Sequence, residues 1–390
     1  MDKVRIGDIC TVVSGSTPKS NIEEYWNGDI KWITPAEITD DSYVISDTER
    51  HITERAVEKT NLTLLPVGTV LLSSRAPIGK TAIVGAEMYC NQGFKNLICS
   101  ERIYNKYLYF FLTSKVDYLN ALGRGATFKE ISKGIVEDVE IPLPSLDEQK
   151  KIVERFEAIQ QLLNKRKQAL LYLDNLVKSR FIEMFVELVF NPMNWPSVTL
   201  VDTCVDKDDI KCGPFGTQLG KDEYVREGVP LWGIPQINAA FTIPPTDFLT
   251  EDKAEQLSAY SLLPGDIAMS RKGNVGKCAI YPENAPNGII HSDVLRIRVD
   301  NKRCNPLFMM CQLHFSRAIE PQIDAVSNGA VMAGINVTKL KSIVVHVPPI
   351  ELQNKFADFV AITDKSKLAV QQSIETLQTL KAKLMQDYFG

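Results

Sequence analysis

One segment of the chain occurs twice. Val139-Glu140-Ile141-Pro142-Leu143-Pro144-Ser145-Leu146-Asp147-Glu148-Gln149 returns as Ile343-Val344-Val345-His346-Val347-Pro348-Pro349-Ile350-Glu351-Leu352-Gln353. Each copy leads into a long stretch without proline. The spacing far exceeds the roughly 20–50 residues of a solenoid unit, so the repeat is a whole domain followed by a helix. A helix of about 40 residues is about 60 Å long, more than a small compact domain can wrap, and it needs a second long helix to pack on. The repeat supplies one.

The correspondence extends over the chain in constant order. Val4-Arg5-Ile6-Gly7-Asp8-Ile9-Cys10 parallels Val198-Thr199-Leu200-Val201-Asp202-Thr203-Cys204. Gly28 to Pro35 parallels Gly228 to Pro235, which aligns Trp32 with Trp232. Leu64-Leu65-Pro66, then Ser74-Arg75 and Gly79-Lys80, parallel Leu262-Leu263-Pro264, then Ser270-Arg271 and Gly276-Lys277. Offsets drift only where loops change length, as loops tolerate.

From these signals the chain reads as α+β, with two similar globular domains at 1–144 and 191–349. Long helices follow at 145–190 and 350–390. Pro142 and Pro144 forbid a helix through the joint, and Ser145 with Glu148 forms a capping box. Phe156, Ile159, Leu163, Leu170, Leu173 and Val177 mark an apolar seam on the first helix, interrupted by Arg166. On the second helix Phe356, Phe359, Val370, Ile374, Leu377 and Leu384 do the same, and Thr363 to Lys367 weakens its middle. Since each helix follows its own domain, antiparallel pairing about a pseudo-twofold axis is the economical arrangement. Parallel pairing is the alternative. A twofold pair of helices offers a symmetric flank to a partner present in two copies.

The formal net charge is -4, so bulk charge does not advertise a nucleic-acid binder, and any such contact needs local basic patches. The eight cysteines form no C-x-x-C pair, which argues against zinc and for a reduced, cytoplasmic protein. Cys10 and Cys204 read as small core residues. No apolar run is long enough for a membrane span, and the first residues lack a signal-peptide core.

Ser74-Arg75-Ala76-Pro77-Ile78-Gly79-Lys80-Thr81 imitates a P-loop. It lacks the leading glycine, and the strand-like Ala82-Ile83-Val84 follows where a helix is needed. The second copy has Cys278 in place of the magnesium-binding hydroxyl. No catalytic constellation repeats between the copies. What repeats is an Arg and a Lys on a Gly/Pro-bounded hairpin, suited to forking guanine or neutralising phosphate, beside other loops rich in hydrogen-bonding side chains. In the first copy the candidates are Thr17, Lys19, Ser20, Arg75, Lys80, Asn91, Gln92, Lys95, Arg124 and Thr127. In the second they are Gln218, Arg271, Lys272, Asn274, Lys277, Ser292 and Asn328. Arg75 and Arg271 are the first choices for structured contacts. Side chains differ between the copies while scaffold positions match, as in divergent readers on one frame. Neutral loop drift has the same appearance.

Ser14-Gly15-Ser16-Thr17-Pro18, Tyr25 to Pro35, Asn91-Gln92-Gly93-Phe94 and the joint Ile141 to Ile152, repeated with variation at 347–356, resemble the DNA specificity subunit of type I restriction-modification systems. The second copy departs from the pattern, with Gly213-Pro214-Phe215-Gly216-Thr217 for the first loop and no Asn-Gln-Gly-Phe. The resemblance implies two target-recognition domains, each reading half of a bipartite site on double-stranded DNA. It implies paired helices that set the spacer and dock two modification subunits. S-adenosylmethionine would belong to those partners and ATP to a restriction subunit, leaving this chain non-catalytic and without a cofactor. A self-contained methyltransferase or nuclease, and a coiled-coil scaffold that ignores DNA, are the alternatives.

Overall fold

A computed structural model describes the chain except residues 1, 40, 76, 126–128, 186–190, 274 and 328–333, with the backbone alone at 326 and 327. The chain divides into two compact units, Met1–Lys167 with Gln371–Gly390, and Gln168–Val370.

The globular part of the first unit opens and closes on one ladder. Lys3–Arg5 pairs antiparallel with Glu140–Pro142, Val4 facing Ile141. This ladder delivers Pro142-Leu143-Pro144 to the start of the long helix, where the Glu148 amide donates to Ser145 Oγ at 3.3 Å. Between its two strands lies a five-stranded sheet ordered Cys10–Ser14, Lys95–Cys99, Val70–Leu72, Thr81–Val84 and Val44–Ile45. Val70, Leu71 and Leu72 are all buried, so the strand reads as a continuous apolar run because both its faces are covered. The helix Asn105–Ser114 covers one face with Tyr107, Leu108 and Phe111. A second sheet, His51–Ile52, Trp26–Ile33 and Tyr89–Cys90, carries Trp32 into a small core with Ile52 and Ala56.

The second unit repeats this plan. Ser197–Thr199 pairs with Val344–His346. A four-stranded sheet runs Ile210–Cys212, Val294–Ile297, Ile267–Ser270 and Cys278–Ile280, and a three-stranded one runs Asp247–Leu249, Val229–Trp232 and Ile289–Ile290. The helix Pro306–Phe315 takes the place of Asn105–Ser114. Cys10 and Cys204 are both buried at the corresponding position.

The register of the repeat differs from the sequence alignment by one residue along two stretches. The Asn91 amide donates to the Ile33 carbonyl, and the His291 amide donates to the Trp232 carbonyl. The equivalent of Trp232 is therefore Ile33, while Trp32 matches Leu231. Side chains alternate across a strand, so a one-residue slip moves a side chain to the opposite face. Trp32 accordingly packs with Ile52 and Ala56, whereas Trp232 packs with Ala268, Ala279 and Tyr281.

Each long helix is 40 residues, Leu146–Phe185 and Ile350–Phe389. The residues expected to carry the first as far as 190 lie outside the described residues. The two helices pack antiparallel in both units. In the first, Phe156 stacks on Phe389 at 5.9 Å and Lys381 Nζ donates to Gln160 Oε1 at 2.8 Å. In the second, Phe181 meets Phe356 at 5.5 Å and Lys367 pairs with Asp174 at 2.8 Å. The polar Thr363–Lys367 stretch, read from sequence as a weak point, thus supplies a cross-helix ion pair, and Thr363 itself is buried.

Of the seam positions, Phe156, Ile159, Leu163, Val177 and Phe356 are buried. Leu170, Leu173, Phe359, Val370, Ile374, Leu377 and Leu384 are half-buried. The aromatic positions serve a second purpose. Phe156 and Phe389 belong to the first domain's core, and Phe181, Phe185 and Phe356 to the second's. Glu157 adds a polar tie, accepting from Tyr43 Oη at 2.8 Å and Lys106 Nζ at 2.6 Å. Burial alone would raise its carboxyl pKa, but these two donors outweigh it and hold the group below the ordinary glutamate value.

Candidate nucleic-acid interface

The turn joining the central hairpin strands is built alike in both units. The Ser73 carbonyl accepts from the Gly79 amide at 3.0 Å, and the Ser270 carbonyl from the Gly276 amide at 3.0 Å. Ser73 N donates to the Lys80 carbonyl at 2.8 Å, and Ser270 N to the Lys277 carbonyl at 2.8 Å. The next residue joins two further loops. Ser74 N donates to Gly93 O and its carbonyl accepts from Ile131 N. Arg271 N donates to Asp293 O and its carbonyl accepts from Ile335 N. Ser74 thus corresponds to Arg271, and Arg75 to Lys272, again one residue from the sequence alignment. A strand, Thr81–Val84, follows Lys80, so this turn does not lead into the helix that a P-loop requires.

A third loop enters beside this turn in each unit. A Cβ on Gly15 would sit 1.9 Å from the Asn91 carbonyl oxygen, and one on Gly213 would sit 2.2 Å from that of His291. Only glycine lets the backbones approach so closely. The loops Ser14–Ser20, 91–94 and 129–131 are thereby gathered around Ser74, and the loops 213–218, 291–294 and 334–335 around Arg271.

The candidates divide by what they already hold. Lys95 is buried, with Nζ 3.4 Å from Ser74 Oγ and 3.2 Å from Glu130 Oε1. Lys80 Nζ donates to Pro35 O at 3.1 Å. Asn91 Oδ1 accepts from the Gly93 amide at 2.6 Å, and Thr17 Oγ1 from the Gln92 amide at 3.5 Å. In the second unit Arg271 Nε donates to Ile335 O at 3.0 Å, and Nη1 lies 3.4 Å from both Cys212 Sγ and Ser292 O. Burial raises the Cys212 thiol pKa despite the nearby Arg271, so the thiol donates its proton to Ser292 O at 3.1 Å. Lys272 pairs with Asp293 at 2.8 Å. Ser292 Oγ is 3.5 Å from His291 Nδ1, and Gln218 Oε1 is 3.2 Å from Tyr260 Oη.

Lys19, Ser20, Gln92, Arg75, Arg124 and Lys277 are different. Their side chains have no hydrogen bond or ion pair among the described residues, and all but the half-buried Arg75 are exposed. Thr127, Asn274 and Asn328 lie outside the described residues. Sequence reasoning missed Glu130, Cys212 and Asp293, which anchor the cations. None stands in a motif, and each meets its partner only through the loop convergence. Among the described residues no cluster of His, Cys, Asp and Glu is arranged for a metal, and no helix is long and apolar enough to cross a membrane.

The profile of the type I restriction modification DNA specificity domain matches residues 1–172 and again 210–379. The chain belongs to this family. The type I DNA specificity chain is 28% identical to the MjaIX specificity subunit of Methanocaldococcus jannaschii over 98% of its own length and 91% of that protein. It is 30% identical to the EcoR124I/EcoR124II specificity subunit of Escherichia coli over 41% of each chain. Its fold is similar to a chain in a structure that addresses complex assembly and conformational transition of the type I R-M system, at TM-score 0.66 and 19% identity, covering 100% and 97% of the two chains. A second similar fold is the S subunit from M. genitalium, at TM-score 0.56 and 16% identity, covering 100% and 96%. The specificity chain recognises the DNA target of a type I system and is not itself catalytic. S-adenosylmethionine and ATP are used by the modification and restriction subunits of such systems.

Proposed function

We propose that the domains at 1–144 and 191–349 each read one half of a bipartite site on double-stranded DNA. The paired helices would set the gap between the halves and dock two modification subunits, with a restriction subunit joining for cleavage, all in the cytoplasm. The observation that carries this reading is the loop frame. Two domains gather equivalent loops around equivalent backbone hydrogen bonds, yet place different side chains at the tips, as expected of two readers with different targets. Lys19, Arg124 and Lys277 suit phosphate, while Arg75 and Gln92 suit base edges. Each good bidentate base contact contributes about 1–3 kcal/mol of discrimination, so a few per domain suffice for a specific site.

The test is co-expression with candidate modification subunits, followed by mapping of methylated adenine in host DNA. A split motif with one fixed gap is expected, and Arg75→Ala should relax one half only. A continuous motif, or equal effects on both halves, would rule out two separate readers. Absence of salt-dependent duplex binding would favour a scaffold.

A further inference from the structure

Both units place a cation where the three loops converge, but they draw it from different elements. In the first unit Lys95 reaches in from the strand Lys95–Cys99, meeting Ser74 and Glu130. In the second, Arg271 follows the strand Ile267–Ser270 and occupies the position of Ser74. The residue equivalent to Lys95 there is the buried Leu295. The same need has been met twice, by non-equivalent residues.

We infer that Lys95 and Arg271 are positioning residues that hold the recognition loops in place, and that Lys19, Arg75, Arg124 and Lys277, which have no side-chain partner among the described residues, make the DNA contacts. The inference rests on the two-reader function. The Arg271 guanidinium donates through Nε to Ile335 O and through Nη1 towards Ser292 O and Cys212 Sγ, tying the loops 334–335 and 291–294 and the end of the strand Ile210–Cys212 to the hairpin turn. Lys95 Nζ, with its side chain 10% exposed, bridges Ser74 and Glu130, joining that turn to the segment 129–131. A cation so engaged is fixed in orientation, and drawing it out towards phosphate would break its bonds to the loops, including that to the buried Ile335. Arg75 and Lys277 sit on the same turns without such partners among the described residues.

The test uses the full chain assembled with its modification subunits, on duplexes carrying the mapped site, with affinity measured across salt concentrations. Each phosphate neutralised contributes about 0.9 to the slope of log affinity against log salt. Arg271→Ala and Lys95→Met should weaken binding about tenfold at fixed salt and leave that slope unchanged. Lys19→Ala and Lys277→Ala should each reduce the slope by about one. Arg271→Lys keeps the charge but loses the fork, and should remain weaker than wild type. Glu130→Gln removes a negative charge beside a polyanion, which electrostatics alone predicts to tighten binding; loss of the Lys95 anchor should weaken it instead. A reduced slope in Arg271→Ala, full affinity in Arg271→Lys, or tighter binding by Glu130→Gln would overturn the assignment. Absence of salt-dependent binding by the wild-type assembly would overturn the two-reader function as well, which separates the two failures.

Discussion

Gln149 and Gln353 close the two repeated joints, and neither side chain has exposed surface. Gln149 accepts from the Tyr104 amide at 2.8 Å and donates to the Arg102 and Pro144 carbonyls. Gln353 accepts from the Asn305 amide at 2.8 Å and donates to the Arg303 and Pro348 carbonyls. One amide thus fastens a domain turn, the proline joint and the first turn of the long helix. Gln149→Leu should leave the Tyr104 amide buried without its acceptor and destabilise the first unit by about 1–3 kcal/mol. The check is a lower urea midpoint at unchanged m-value; an unchanged midpoint would mean that the amide finds another acceptor. The sequence shows that this glutamine recurs. It does not show the reason, because Arg102 and Tyr104 are distant in the chain and belong to no motif. Lys95 and Arg271 share this difficulty. Their chemistry suggests DNA contact, and only the convergence of loops reveals that Lys95 Nζ and the Nε and Nη1 of Arg271 already hold loop atoms.

At the scale of elements, the repeated joint and the two long helices are plain in the sequence, since absence of proline and an apolar period report local structure directly. The tryptophans mislead. Trp32 and Trp232 align by eye, yet they face opposite sides of equivalent strands because the ladder, not the residue type, sets register. The helix pattern was also incomplete. Phe181 and Phe185 continue the apolar face but enter the second domain's core with Phe308 and Phe356. Phe356→Ala should therefore cost about 3–5 kcal/mol, as for a buried core aromatic, rather than the smaller loss of a half-buried seam position. Chemical denaturation should show the loss in the second unit, with the first unit's transition unmoved. A cost below about 1 kcal/mol would place Phe356 outside that core.

For the molecule as a whole, the spacer proposal makes a geometric prediction. Inserting about seven residues, two turns, into both helices adds about 10 Å. At about 3.4 Å per base pair this corresponds to a gap wider by roughly three base pairs, with both half-sites unchanged. Methylation mapping reads the gap, and an unaltered gap would remove the helices from that role. The division of the chain has another consequence, in the order of synthesis. The first unit takes its last residues from 371–390, and Phe389 packs against Tyr107, Phe111 and Phe156. The second unit is contained within Gln168–Val370. At about 5–20 residues per second, a ribosome needs on the order of 10–40 s to travel from the end of the first segment to Phe389. Throughout that interval the aromatic face of the older domain stands open. The half made first is the half completed last, and the nascent chain depends on its C-terminal turns to close it.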